Sequence, residues 1–142
     1  MIDYLELVED FHKKYNHYLG DLHMLTPNET IDLRKKLIEE ETIEFINASL
    51  KMTFLGFERL SKKTEYSIHM TEIADALADL LYVVFGAALA YGIPIEEVFK
   101  EVHRSNMTKS MLKDEKSIKG KTIKGEDYDP PRIKEIIERH MK

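Results

Sequence analysis

Tyr4, Val8, Phe11 and Tyr15 recur at the three-to-four-residue spacing that gathers side chains on one side of a helix. The chain therefore opens with an amphipathic helix that ends by Gly20. In "TPNE" at 26–29, Thr26 suits an N-cap, Pro27 the first helical position and Glu29 the far side of a capping box. These signals predict a second helix from Pro27 to about Leu50. Gly56 and the polar run "SKKTEYS" then interrupt the pattern, with room for a short helix, before a third helix begins near Ser67. "GIP" at 92–94 ends that helix, and Pro94 opens a fourth that runs to about Lys109. A Lys- and Gly-rich tail starts at about 112, and "PPRIKEIIERHMK" offers a short final helix or an arm. No repeat, lasting strand alternation or linker interrupts the series, so the pattern predicts one all-α domain over residues 1–142, with four to five helices.

Two of these helices break the apolar pattern with acids. "LIEEETIEF" at 37–45 carries four glutamates in nine positions. At about 3.6 residues per turn, Leu37, Ile38, Glu41, Phe45 and Ala48 share one stripe, Glu44 lies beside it, Glu40 falls at its rim and Glu39 points elsewhere. In the third helix, Asp75 and Asp79 are the only charges between Ile73 and Ile95. Glu72, Asp75 and Asp79 fall within about 60° of one another, on a helix so apolar that it is expected to be buried on every side. Gathering carboxylates away from water raises their pKa or demands compensation. The inward arc of the third helix offers no Lys or Arg, and proton-sharing would have to bring five or six carboxyls together. Mg²⁺, which takes hard oxygen ligands, meets the need. Acids lining a wet groove, or paired with bases elsewhere in the chain, remain the alternative.

Composition narrows the setting. The formal charge of -5 and pI near 5.7 argue against nonspecific nucleic-acid binding, which needs a cationic face. The absence of cysteine excludes disulfides and thiolate metal sites and suits a reducing, cytoplasmic location. "MIDYLELVED" is acidic and amphipathic, unlike a secretory signal, and the uncharged run Leu80 to Ile95 is shorter than the roughly 20 residues of a membrane span. The expectation is a soluble protein with no membrane partner.

"EETIE" at 40–44 and "EIAD" at 72–75 resemble the EExxE and ExxD signature of the all-α nucleoside triphosphate pyrophosphohydrolases, a superfamily of MazG, the dimeric dUTPases and phosphoribosyl-ATP pyrophosphohydrolase. "EIADALADLLYVVFGAALAYGIPIEEVFKEVHRSNMTK" and "KGKTIKGEDYDPP" extend the likeness over about Leu37 to Pro131, while Lys51 to Ile68 carries no family motif. The resemblance implies a MazG-like helical bundle and a hydrolase of phosphoanhydride bonds. Glu41, Glu44, Glu72 and Asp75 would hold Mg²⁺ or Mn²⁺, with Glu40 a further ligand or the base that activates water and Glu41 beside it in catalysis. Asp79 and His103 would stand behind the ligands. The substrate would be a nucleoside triphosphate, cleaved to monophosphate and pyrophosphate in (d)NTP house-cleaning, with phosphoribosyl-ATP as the alternative.

His103, Asn106 and Lys109 follow one another by three along the fourth helix, and "HRSNMTK" resembles the family's substrate-binding segment. Asn106 and Lys109 are the expected phosphate or sugar contacts, although Lys109 could simply complement a helix C-terminus. Arg104 reads as structural. Lys121 and Lys124 adjoin glycines, and Tyr128 could stack on a base, unless this stretch is only a solvated tail. Tyr82 reads as core. A di-iron bundle would need two Glu-x-x-His pairs, and only Glu9 to His12 has that spacing. A non-catalytic module that binds a nucleotide or a partner protein is the other rival. The all-apolar third helix needs more neighbours than one such chain supplies, which predicts a homodimer or homotetramer.

Overall fold

The first helix, α1, spans Tyr4–Lys14 and starts where the Asp3 carboxylate accepts the N–H groups of Leu5 and Glu6, each at 3.1 Å. Beyond it Asn16 turns the chain with φ 53°. The buried positions of α1 are Val8 and His12, one helical turn apart. Tyr4, Phe11 and Tyr15 of the expected stripe stay exposed, because α1 packs against one neighbouring helix and buries only a narrow strip. Phe11 instead sets its ring against Tyr15 at a 52° tilt, 4.6 Å between centroids, and meets Tyr82 edge-on at 5.5 Å.

In the computed structural model, which describes residues 3–54, 63–111 and 122–142, the long helices are α2, Asn28–Phe54, and α3, Lys63–Tyr91. The Pro27 carbonyl accepts the Ile31 N–H at 3.0 Å. Thr26 is not committed to the expected capping box; its hydroxyl reaches across to the Ala90 carbonyl at 3.5 Å. At the other end Lys51 meets Glu72 at 2.9 Å. The two contacts set α2 and α3 antiparallel. The expected interruption from Gly56 onward lies outside the described residues as far as Lys62.

The apolar side chains buried in α2 and α3 are alanines: Ala48, Ala76, Ala87, Ala88 and Ala90. Large apolar groups lie outside this seam, with Leu77 42%, Leu81 57% and Val84 38% exposed. Within the single chain α2 and α1 cover only part of α3, and its remaining apolar surface faces outward, the shortage of neighbours expected for so apolar a helix. By length and composition alone, Tyr66–Tyr91 is apolar enough to cross a membrane. Gly92 closes α3 with φ 66°, and a Cβ there would stand 2.7 Å from the Asp21 Cα. The Gly20 N–H donates to the Leu89 carbonyl at 2.9 Å, so the loop after α1 lies directly on this helix end.

The described residues form two compact units, Met1–Gly92 and Ile93–Lys142. The second contains α4, Ile95–Asn106, and α5, Ile133–His140, together with a short antiparallel ladder of β1, Ser110–Met111, and β2, Thr122–Ile123. "PPRIKEIIERHMK" thus supplies a helix, and with only this two-residue pairing beside five helices among the described residues, the fold is all-α as expected. The α4 helix stops at Asn106, short of the expected Lys109. There Thr108 leaves the helix, donating its hydroxyl to the Ser105 carbonyl at 2.8 Å and accepting the Asp129 N–H at 2.9 Å.

Candidate active site

Glu41 lies midway along α2, and its Oε2 is buried with no hydrogen-bond partner. Burial pushes its carboxyl pKa up, and the charges of Glu44, Asp79, Glu40 and Asp75 push it further. Antiparallel pairing explains the meeting: with Lys51 opposite Glu72 and Thr26 opposite Ala90, the middle of α2 faces the Asp75 to Asp79 stretch of α3. Four carboxylates from two helices therefore act on Glu41. The expectation that these acids face inward is corrected for Glu44, Asp75 and Asp79, which are exposed, as is Glu40 at the rim. The alanine seam takes the centre of the helix pair, and the longer acidic side chains reach its open margin.

Glu72 is set apart from this group. Lys51 donates to it at 2.9 Å and His69 stands 3.5 Å away, and the Lys51 hydrogen bond holds its carboxyl below the usual range. Glu40 sits 3.6 Å from Lys36 on the outer side of α2. Among the described residues no three acids or histidines already converge as metal ligands. The residues nonetheless fit a cation: a buried, unpartnered carboxylate oxygen amid four further acids is the donor set that hard divalent ions take.

Beside Glu41 opens a cavity of 280 Å³ that sequence reasoning missed. Its walls include Glu41 and Asp79, the rings of Phe11 and Tyr82, and a basic cluster of His12, His17 and Arg34. Tyr82, read as core, is instead 38% exposed and lines this opening. Arg34 is 4% exposed and His12 1% exposed, yet Arg34 Nε and His12 Nδ1 have no partner. One signal was present: Arg34, Leu37 and Glu41 follow one another by three and four, so Arg34 shares the inward face of the acids.

The second unit carries the other expected contacts. His103 and Asn106 are exposed on α4, and Lys109 lies beyond its end, so the helical face does not continue to the lysine. Lys124 Nζ stands 5.1 Å over the Tyr128 ring, so these two residues engage each other. Lys121 lies outside the described residues. Arg104 is structural, as expected: it binds Glu101 at 2.8 and 2.9 Å, Asp129 at 2.7 Å and the Pro130 carbonyl at 3.2 Å. These bonds hold the Glu101 carboxyl down to about 2. A larger cavity, 610 Å³, lies between α4 and α5, but its Glu97, Glu101, Arg104, Arg132 and Arg139 are already paired with one another or with neighbours.

A search of curated proteins finds no match. A family model described as phosphoribosyl-ATP pyrophosphohydrolase matches residues 8–106, a span that begins within α1 and includes α2, α3 and α4 with Glu40, Glu41, Glu44, Glu72, Asp75 and Asp79.

Proposed function

The chain belongs to the phosphoribosyl-ATP pyrophosphohydrolase family and is a hydrolase of nucleotide phosphoanhydride bonds, and on that footing we propose that it cleaves a nucleoside triphosphate to monophosphate and pyrophosphate in (d)NTP house-cleaning. The observation that carries the metal-dependent reading is the buried Glu41 carboxylate, repelled by four other acids. Glu41, Glu44 and Asp75 would hold Mg²⁺ or Mn²⁺, with Asp79 behind them, and Glu72 would join only by releasing Lys51. Such an ion would supply charge neutralisation for the departing pyrophosphate and a lowered pKa for an attacking water. Glu40, exposed at the neighbouring position, would accept a proton from the attacking water. Asn106, Lys109 and Lys124 supply donors to phosphate or sugar.

Phosphoribosyl-ATP is the second reading, favoured by the description of the matching family. Pyrophosphate release from a panel of nucleoside triphosphates and phosphoribosyl-ATP, with Mg²⁺ and with chelator, tests both. Metal-dependent pyrophosphate release is expected, and orthophosphate as the first product would sink the reaction class. The uncovered apolar surface of α3 also leads us to propose that the enzyme works as a homodimer or homotetramer, with a second copy covering that surface, and the absence of cysteine supports a reducing, cytoplasmic setting.

A further inference from the structure

The cavity beside Glu41 has chemistry that neither metal binding nor the α2 and α3 seam explains. At 280 Å³ it falls just below the ~300–1,000 Å³ of sites that take a whole small ligand, so it suits one part of the substrate. Phe11 and Tyr82 give it aromatic edges, and Leu37 and Val83 an apolar floor. Into this setting the chain brings Arg34, almost wholly buried, whose Nε–H has no acceptor. A guanidinium keeps its proton and offers only donors, so an empty donor asks for an acceptor from outside.

The α3 helix makes room for this cluster at Gly86. A Cβ there would stand 3.0 Å from Arg34 Nη1 and 3.1 Å from His12 Nε2. Arg34 Nη2 lies 3.4 Å from His17 Nδ1, while Nε is buried without a partner. A phosphate is a poor occupant. Glu41 and Asp79 share the wall, and His12 is kept toward its neutral form by burial and by the nearby Arg34. A flat, uncharged heterocycle with acceptors on its edge fits all of these surfaces.

We propose that this cavity seats the nucleobase of the substrate and that Arg34 selects bases carrying a carbonyl oxygen over adenine, which carries none. Guanine presents O6 beside N7, two acceptors for a guanidinium, whereas adenine puts an amino donor next to N7 and sets donor against donor. The inference rests on the nucleotide-hydrolase reading but extends it to the base, and it predicts that phosphoribosyl-ATP is the poorer substrate.

The test uses the full chain in chelator, with GMP and AMP as probes that differ only in the base. Ring ¹⁵N signals of His12 and His17 report occupancy. GMP is expected to shift them saturably and to bind at least tenfold tighter than AMP, while Arg34→Met lowers GMP affinity to that of AMP and leaves AMP within twofold. Equal binding of the two in the wild type, tighter AMP, or unmoved histidine signals would overturn the proposal. So would equal weakening of both nucleotides in Arg34→Met, the sign of a merely structural arginine. Should that variant fail to fold, the wild-type comparison decides alone. Because no turnover is involved, failure here is distinct from a failure to release pyrophosphate.

Discussion

Asp79 on α3 lines the same cavity wall as Glu41 on α2, and its charge helps drive the Glu41 carboxyl above its ordinary range. A carboxyl raised in the folded state binds its proton more tightly there than in the unfolded chain. Stability without metal therefore falls as pH rises from the unfolded pKa through the folded one. A cation reverses that sign by favouring the ionised form.

Asp75→Asn separates the two roles that an acid in this group could have. It removes one repelling charge from Glu41, so melts in chelator are expected to show the variant as stable as the wild type or more so. In Mg²⁺ at a hundredfold excess over Kd, the wild type gains about 2.7 kcal/mol, and the variant loses most of that gain and its turnover. A variant that melts early in both buffers, or that stays active, would show that Asp75 holds structure and not metal.

Acid titration followed by circular dichroism examines the second unit. Arg104 holds Glu101 down from its ordinary 4.5 to about 2. For a depressed carboxyl, the stabilisation is present above the unfolded pKa and is lost as pH falls through the folded value. The wild type should lose this contribution between pH 4.5 and about 2. Arg104→Met should lie below the wild type at neutral pH and show a shallower decline across that window; parallel curves would count against the assignment.

Gly92→Ala puts a side chain where φ is 66° and where its Cβ would meet the Asp21 backbone at 2.7 Å. Left-handed strain of about 1–2 kcal/mol and overpacking of about 1–3 kcal/mol should add to a loss of at least 2 kcal/mol in denaturant melts. A midpoint within error of the wild type would mean that the Gly20 to Asp21 loop does not rest on this helix end.

Leu81→Glu probes the uncovered surface of α3. Leu81 is 57% exposed in the single chain, so on an isolated chain the change is nearly neutral. If a second copy covers the residue, sedimentation at micromolar concentration should show a dimer or tetramer for the wild type and a smaller species for the variant. A monomeric wild type would end the assembly proposal.

Helix order and the positions of the acids were legible because spacing alone brings Glu41, Glu44, Asp75 and Asp79 to facing sides of two helices. The Lys51 to Glu72 pair was not, since it depends on how far α2 slides along α3, which neither helix specifies by itself. His12 and Arg34 escaped for a different reason. A polar residue in an apolar stripe reads as a lapse in the pattern until an opposing helix supplies a glycine to receive it. That the third helix would outrun its neighbours was legible, but which side chains stay uncovered, Leu81 among them, was not, because hydrophobic period reports that a side chain avoids water, not whose surface shelters it.

The alanine seam has a consequence for how the enzyme can diversify. At the buried alanines of the two helices, almost every substitution enlarges the side chain, and glycine alone reduces it. Ala48 and Ala76 thus act as a gauge between the two acidic helices, and replacing either with a longer residue would spread the carboxylates before it unfolded the chain. Lineages that acquire new substrates are therefore expected to vary the cavity wall at Phe11, His17 and Arg34 while the gauge stays fixed.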